Sequence, residues 1–283
     1  MIKRQWIIAV LVFAVGATAV SGLSKVFAQR HWDRSAWEAL EISERTIFPG
    51  NEFTFCRIRY TSEWEHPQTN AGGRWGIDYP ESDRHFSWRL SELTTLDVAK
   101  DRNGVYKHVV VRITDDALFD YPFVYLIEPG ELIFTEEEVT RLQDYLLRGG
   151  FMMVDDFWGE DEWTNWEIQI SRVFDPEIFP IIDLELDHPI FHMVFDLDEK
   201  PQVPTPWHWV NTGGDTSERY DSQEVHYRGI KDPTGRLMMV ICHNTDLGDG
   251  WEREGEHRGY FEEISAKKAY PMGINIVVYA MTH

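Results

Sequence analysis

Cysteine is nearly missing from this chain, with two in 283 residues, Cys56 and Cys242. Both sit inside apolar, strand-like runs, "FTFCRIRY" and "RLMMVICHN". That setting predicts buried free thiols rather than a disulfide or a nucleophile. Basic residues are also scarce, 27 Lys and Arg against 48 Asp and Glu. A surface with that balance excludes binding to nucleic acid or an anionic membrane by charge. The chain holds no Walker loop, no G-x-G-x-x-G, no G-x-S-x-G and no clustered Cys/His site. No cofactor or metal is expected from motifs of these kinds. Internal repeats and low-complexity tracts are absent too.

What is present begins with "MIKRQWIIAVLVFAVGATAVSGLSKVFAQR". Lys3 and Arg4 precede an apolar run of fifteen residues, Trp6 to Val20, and "VFA" then offers a cut after Ala28. This is the layout of a secretory signal peptide over residues 1–28, and it predicts an exported protein, periplasmic or extracellular. The rival is an uncleaved membrane anchor, for which the run is short. Residues 1–28 hold three basic residues and no acid, so the cut chain carries 24 basic and 48 acidic residues, a net charge of −24. Residues 29–50 read as a linker with one short helix around 34–44, and residues 51–283 as the domain.

Within the domain, "NEFTFCRIRY" reads as a first strand over 53–60. A Gly- and aromatic-rich loop follows, then a helix from "DRHFSWRLSELTTLDV". Phe86, Leu90 and Leu93 fall at helical spacing there, and Ser82 or Asp83 is placed to cap it. "YKHVVVRI" is a second strand, and "FVYLIEP" a third, apolar enough to be buried on both faces. "FTEEEVTRLQDYLLRGG" is a helix with a Thr135/Glu138 capping box, an apolar face of Val139, Leu142, Tyr145 and Leu146, and a stop at Gly149. "FMMV" follows as a fourth strand, which completes a right-handed βαβ unit with parallel strands. "DEWTNWEIQISRVF" continues as a helix. His188-Pro189 opens a turn, and residues 200–217 read as Pro- and Gly-rich loops. "VHYRGI", "DPTG" and "RLMMVICHN" form a hairpin, and "AYPMGINIVVYAMTH" closes the chain as a helix. The pattern predicts an α/β fold, a flavodoxin-like three-layer sandwich whose sheet is mostly parallel with a late β-hairpin.

Ligands of such sheets bind beyond the carboxyl ends of the strands. The residues there are Arg59 and Tyr60, Asp115 and Asp116, Glu128, Asp155 and Asp156, then His243, Asn244 and Asp246. The Asp155-Asp156 pair ends an apolar run in "FMMVDDFWG". The pleat sends successive side chains to opposite faces, so one of the two is expected in the cleft, as a base, a metal ligand or a hydroxyl acceptor, or else as a helix cap or the partner of an arginine. His188 and His243 are the candidate partners for acid–base work. Arg59 is expected to hold an anion or orient Asp155, and Tyr60 and Trp158 to stack or donate hydrogen bonds. Asp83 and Asn244 complete the candidate set. His188 and His192 stand four apart, but "HPIFH" lacks the glutamate of the zinc-protease motif. "TDLGDGWE" lacks EF-hand spacing and reads as a solvated loop. The twelve Trp suit a packed core with a few stacking surfaces for a sugar-like ligand.

Taken together, "FCRIRY…RWGIDYPESDRHFSWRLSELTT", "DALFDYPFVYLIEPGELIFTEEEVTRLQDYLLRGGFMMVDDFWG", "LDHPIFH", "ICHNTDLGDGWE" and "GINIVVYAMT" resemble a bacterial family of unknown function over about residues 51–283. That family is similar to the class I glutamine amidotransferase-like fold, which also holds the ThuA-like proteins. The resemblance implies a flavodoxin-like sandwich and partners in the cell envelope, MoxR-type ATPases and von Willebrand A-domain proteins. Amidotransferases carry a nucleophilic cysteine at the elbow after the strand that matches "GGFMMVDDFWG". Aspartates stand there in this chain, so thioester hydrolysis of glutamine is not expected. Three readings remain: a domain binding a ligand or partner at the strand-end cleft, an Asp/His-dependent hydrolase of a sugar-like substrate, and a purely structural partner of an envelope ATPase complex.

Overall fold

The computed structural model describes residues 52–60 and 74–283. The expected signal segment and linker, and most of the aromatic loop, lie outside the described residues. Seven strands form one sheet: β1 (Phe55–Arg59), β2 (His108–Arg112), β3 (Phe123–Ile127), β4 (Phe151–Asp155), β5 (Ile182–Asp183), β6 (His226–Lys231) and β7 (Leu237–His243). Their order is β2-β1-β3-β4-β7-β6-β5. The first five are parallel, in the 2-1-3-4-5 ranking of flavodoxin-like sheets, and β7-β6-β5 is the antiparallel extension. The expected α/β fold with its late hairpin is therefore present. Every residue of β3, β4 and β7 is buried, as central strands covered on both faces require.

One face of the sheet carries α1 (Glu81–Leu93); the other carries α2 (Glu136–Leu147) and α3 (Gly159–Val173). Two short helices follow, α4 (Pro206–Thr212) and α5 (Leu247–Glu252), and the chain closes with α6 (Tyr270–Thr282). Helices α5 and α6 pack with α1. Their shared core is aromatic: the Trp251 ring lies 4.4 Å from Phe86, 5.7 Å from Tyr125 and 6.4 Å from Phe55. A π-helix, Phe261–Ala269, leads into α6. The capping box of α2 is formed as the sequence predicts: Thr135 Oγ1 accepts from Glu138 N, and Glu138 accepts from Thr135 N. Gly149 follows α2 with φ 107°. Cys56 and Cys242 are free and fully buried. No helix among the described residues is long and apolar enough to cross a membrane.

Four local expectations need correction. Ser82 and Asp83 do not cap α1; both lie inside it, buried, where Arg57 draws them in. Residues 200–217 are not loop throughout, because Thr205 caps α4 by accepting from His208 N, with Pro206 in the first turn where a missing N–H costs nothing. "TDLGDGWE" is not a solvated loop. Asp246 caps α5, and Asp246 to Trp251 are all buried. Leu93, expected on the apolar face of α1, is exposed.

Candidate functional site

Parallel strands deliver their carboxyl ends to one edge of the sheet, and the acidic residues that follow β1, β3, β4 and β7 meet there. Asp155 is the last residue of β4, paired with Ile127 across the ladder. The pleat points it toward the face of Tyr125 and α5. Its Oδ2 accepts from Tyr125 Oη at 2.8 Å and from the backbone N–H of Leu247 at 3.0 Å and Gly248 at 3.2 Å. Its Oδ1 is buried with no hydrogen-bond partner among the described residues. Burial pushes this carboxyl up to about 7, against the pull of the Tyr125 hydroxyl and the two amides.

Beyond Asp155 the backbone turns sharply. Asp156 (φ 58°), Glu128 (φ 50°), Asp78 (φ 60°) and Asn244 (φ 62°) are left-handed, and they are the non-glycine residues with positive φ among those described. Each such residue costs about 1–3 kcal/mol, and outliers of this kind gather at functional sites. Three of the four line one cavity of about 310 Å³. Its acids are Asp78, Glu128, Asp156, Glu218, Asp246 and Asp249, and its basic residues are Arg74, Arg219 and Arg253. Each arginine already answers an acid: Arg74 pairs with Glu128 and Glu131, Arg219 with Glu162, and Arg253 with Asp249, Glu252 and Glu256. Burial, followed by repulsion from neighbouring carboxylates, holds Asp78, Asp156 and Asp246 well above the usual carboxylate range. Burial lifts Glu128 to about 7 and Asp249 to about 6. Such a group of acids resists charging unless positive charge joins it. Oxygens of Asp78, Asp246 and Asp249 lie within 4.8 Å of one another.

Arg57 on β1 fixes the approach to this cavity. It is fully buried against Asp83, and its Nη1 also donates to the carbonyls of Trp75 and Ile77, both at 3.1 Å. The segment that carries Asp78 is thereby tied to the sheet.

The expected site residues separate into two groups. Glu128, Asp156, Trp158 and Asp246 line the cavity. Asp155 lies beneath it, and Tyr60 supports it by donating from Oη to the Glu128 carbonyl at 2.6 Å. Arg59 stacks over Trp75 at 5.2 Å, and the hydrogen bonds of Asp155 come from Tyr125, Leu247 and Gly248 instead. Asp83 is the buried partner of Arg57. Asn244 ties loops together, accepting from Gly159 N and donating to the Glu224 carbonyl. Asp115 and Asp116 serve their own segment, with Asp115 accepting from Arg112 N and Asp116 paired with Arg141.

Neither histidine reaches the aspartates. Val154 is in register with Ile241, so Cys242 shares the pleat of Asp155 and His243 faces the other side. There it packs against Phe157 at 4.9 Å and Trp163 at 5.1 Å. Arg228, which can only donate, bonds to Nδ1, so the neutral ring carries its proton on Nε2 and donates to the Gly159 carbonyl. Burial pushes His243 down to about 4. His188 caps a short turn by accepting from Ile190 N. Its ring is 5.7 Å from Tyr279, which packs on Phe151 at the opposite end of β4 from Asp155. His192 bonds to Asp196 and the Leu186 carbonyl.

Asp78 and Asp249 were missed by sequence reasoning. Asp78 lies in a Gly- and aromatic-rich loop with no periodic pattern, and Asp249 in a stretch whose acids and glycines read as a solvated loop. The spacing Asp246-x-x-Asp249 was the available signal, since an acid followed three residues later by another marks a helix start.

The family model of a domain of unknown function (DUF4159) matches residues 54–281, and this chain belongs to that family. Comparison with curated proteins gives no match.

Proposed function

We propose that this chain is a binding domain whose strand-end pocket receives a positively charged group of its ligand or partner. The observation that carries the reading is the charge of the cavity: six acids surround it, and its three arginines are already committed to acids. A small cation or ammonium would relieve the repulsion among Asp78, Asp156 and Asp246 and allow them to ionise.

We read the scaffold as a class I glutamine amidotransferase-like fold without its nucleophile. On that reading Asp156, left-handed directly after β4, would take the place of the nucleophilic cysteine. The thiols of Cys56 and Cys242 lie elsewhere, and burial raises both well above their ordinary values. The hydrolase reading needs an aspartate within reach of a histidine, and His188 and His243 lie on other faces, so we do not carry it forward.

The test is a thermal-shift and calorimetric screen of amines, amino acids, basic peptides and metal ions against the wild type and Asp156→Asn. A ligand that stabilises the wild type and is lost on Asp156→Asn supports the reading. Binding confined to anionic ligands, or unaffected by Asp156→Asn, overturns it.

Export and an envelope partner belong to the same proposal. Trp207 on α4 is 76% exposed and Tyr220 is 91% exposed, and in sequence they follow Thr205 by two residues and Arg219 by one, both residues of the cavity wall. Aromatic residues so placed suit a protein contact at the pocket mouth. Co-purification of a partner that is lost on Trp207→Ala and Tyr220→Ala checks it.

A further inference from the structure

Asp78 comes from the segment after β1, and Asp246 and Asp249 come from the start of α5. Chain segments far apart in sequence thus place three carboxylates in one buried spot, with oxygens no more than 4.8 Å apart. Two oxygens on opposite sides of a Ca²⁺ ion stand about 4.6–5.2 Å apart, so this spread fits one coordination shell.

A second feature points to a ligand. Asp78 Oδ2 is buried and has no hydrogen-bond partner among the described residues. Asp78 is only 9% exposed, so bulk water does not compensate it. A buried acceptor left in this state is costly, more so if charged, and a native structure rarely keeps one without a partner to come. The space it faces is kept open by Gly248. A Cβ there would stand 2.7 Å from Asp78 Oδ2, 2.9 Å from Tyr125 Oη and 3.3 Å from Asp246 Oδ1. Gly248 N is meanwhile used by Asp155, so the glycine backbone is fixed while its side-chain position stays clear. The local ion pair does not satisfy the cluster, since Arg253 approaches Asp249 alone, at 3.6 Å.

We propose that Asp78, Asp246 and Asp249 form a binding site for one hard divalent cation, of the Ca²⁺ or Mg²⁺ class. All-oxygen, all-carboxylate donors select such ions over softer metals, which favour nitrogen and sulfur. Asp156 stands on the wall of the same cavity and is close enough to feel both Asp78 and Asp249. It can complete the shell directly or through water. The inference rests on the reading of the pocket as a site for positive charge, and names that charge as a metal ion. The ion would then offer open positions to an oxygen-bearing ligand entering past Trp158.

The test uses the purified chain, freed of metal with a chelator and titrated with Ca²⁺ and Mg²⁺ by calorimetry and thermal shift. The expected result is one saturable site per chain and a rise in Tm. Asp78→Asn and Asp249→Asn should each weaken binding by about tenfold or more, as fewer charged ligands remain. Because these variants remove repulsion, their metal-free Tm should equal or exceed that of the wild type, which separates a lost ligand from a damaged fold. Gly248→Ala should also block binding, and Asp116→Asn, on the surface, should leave it unchanged. Absence of saturable binding at millimolar Ca²⁺ or Mg²⁺ overturns the inference, as does equal binding by Asp78→Asn or tight binding of Zn²⁺ alone. If neither Ca²⁺ nor Mg²⁺ binds but an amine or basic peptide does, in an Asp156-dependent way, the metal site fails and the pocket reading stands. If no cation of any kind binds, both fall.

Discussion

The guanidinium of Arg57 meets the carboxylate of Asp83 in the fully buried space between β1 and α1, with Nη2 2.6 Å from Oδ1 and Nε 3.1 Å from the same oxygen. Ser82 Oγ and the carbonyls of Trp75 and Ile77 take the remaining donors. A buried pair of this kind adds little over an apolar pair of equal volume, but breaking it strands a charge. Asp83→Ala should therefore lose about 3–5 kcal/mol of stability in denaturant melts. The double variant Arg57→Met with Asp83→Leu should lose less than Asp83→Ala alone. Because Arg57 also holds the Asp78 segment, the double variant should weaken ligand binding even where its stability recovers.

His243 supplies a pH signature. Its folded-state value of about 4 lies below the value of about 6.5 expected in the unfolded chain. Protons then bind the unfolded state more readily, so its contribution to stability is complete above about pH 6.5 and is lost as pH falls toward 4. The loss reaches up to about 3 kcal/mol. His243→Gln, which can keep a donor for Gly159 and an acceptor for Arg228, should flatten the Tm profile over that window. A His243 imidazole titrating near 6.5 by NMR would count against this.

Both thiols should be silent in the native protein. Cys56 and Cys242 are fully buried and their thiolates are disfavoured by that burial. A thiol reagent should label neither at pH 8 and both in guanidinium. Labelling of either in native buffer would show that the sheet opens locally.

Gly273 on α6 should not accept alanine. A Cβ there would stand 2.4 Å from Trp251 Cζ2 and 2.7 Å from Phe86 Cε2, both atoms of buried rings. Overpacking of this sort costs about 1–3 kcal/mol. Replacing a helical glycine returns about 1 kcal/mol. Gly273→Ala should therefore lower Tm, and a neutral or raised Tm would mean that the aromatic core under α6 can yield.

Residues whose role depends on period and neighbours were legible in the sequence. The capping box of α2, the parallel β3-α2-β4 unit and the β6-β7 hairpin all follow from local patterns, because each is decided within one continuous stretch of chain. The site was legible only as an edge. Strand ends named Glu128, Asp155, Asp156 and Asp246, but which side of the pleat each faced depended on register between β4 and β7, which no local pattern records. His243 was placed one residue past the pleat that would have brought it to Asp155. Asp83 was misassigned for a related reason. A carboxylate near a helix start looks like a cap, and only the arrival of Arg57 from a strand 26 positions away turns it inward.

The place of β7 in the sheet sets a constraint on synthesis. It is the last of the seven strands in sequence but the neighbour of β4 in space, inserted between β4 and β6. As the chain emerges from the ribosome, the apolar edge of β4 has no partner until residues 237–243 have been made. Asp246 and Asp249 follow only a few residues later. The sheet and the pocket are therefore completed by one late segment, and a nascent chain halted before Leu237 carries an open, sticky β4 edge and no cavity, a natural substrate for chaperones or proteases.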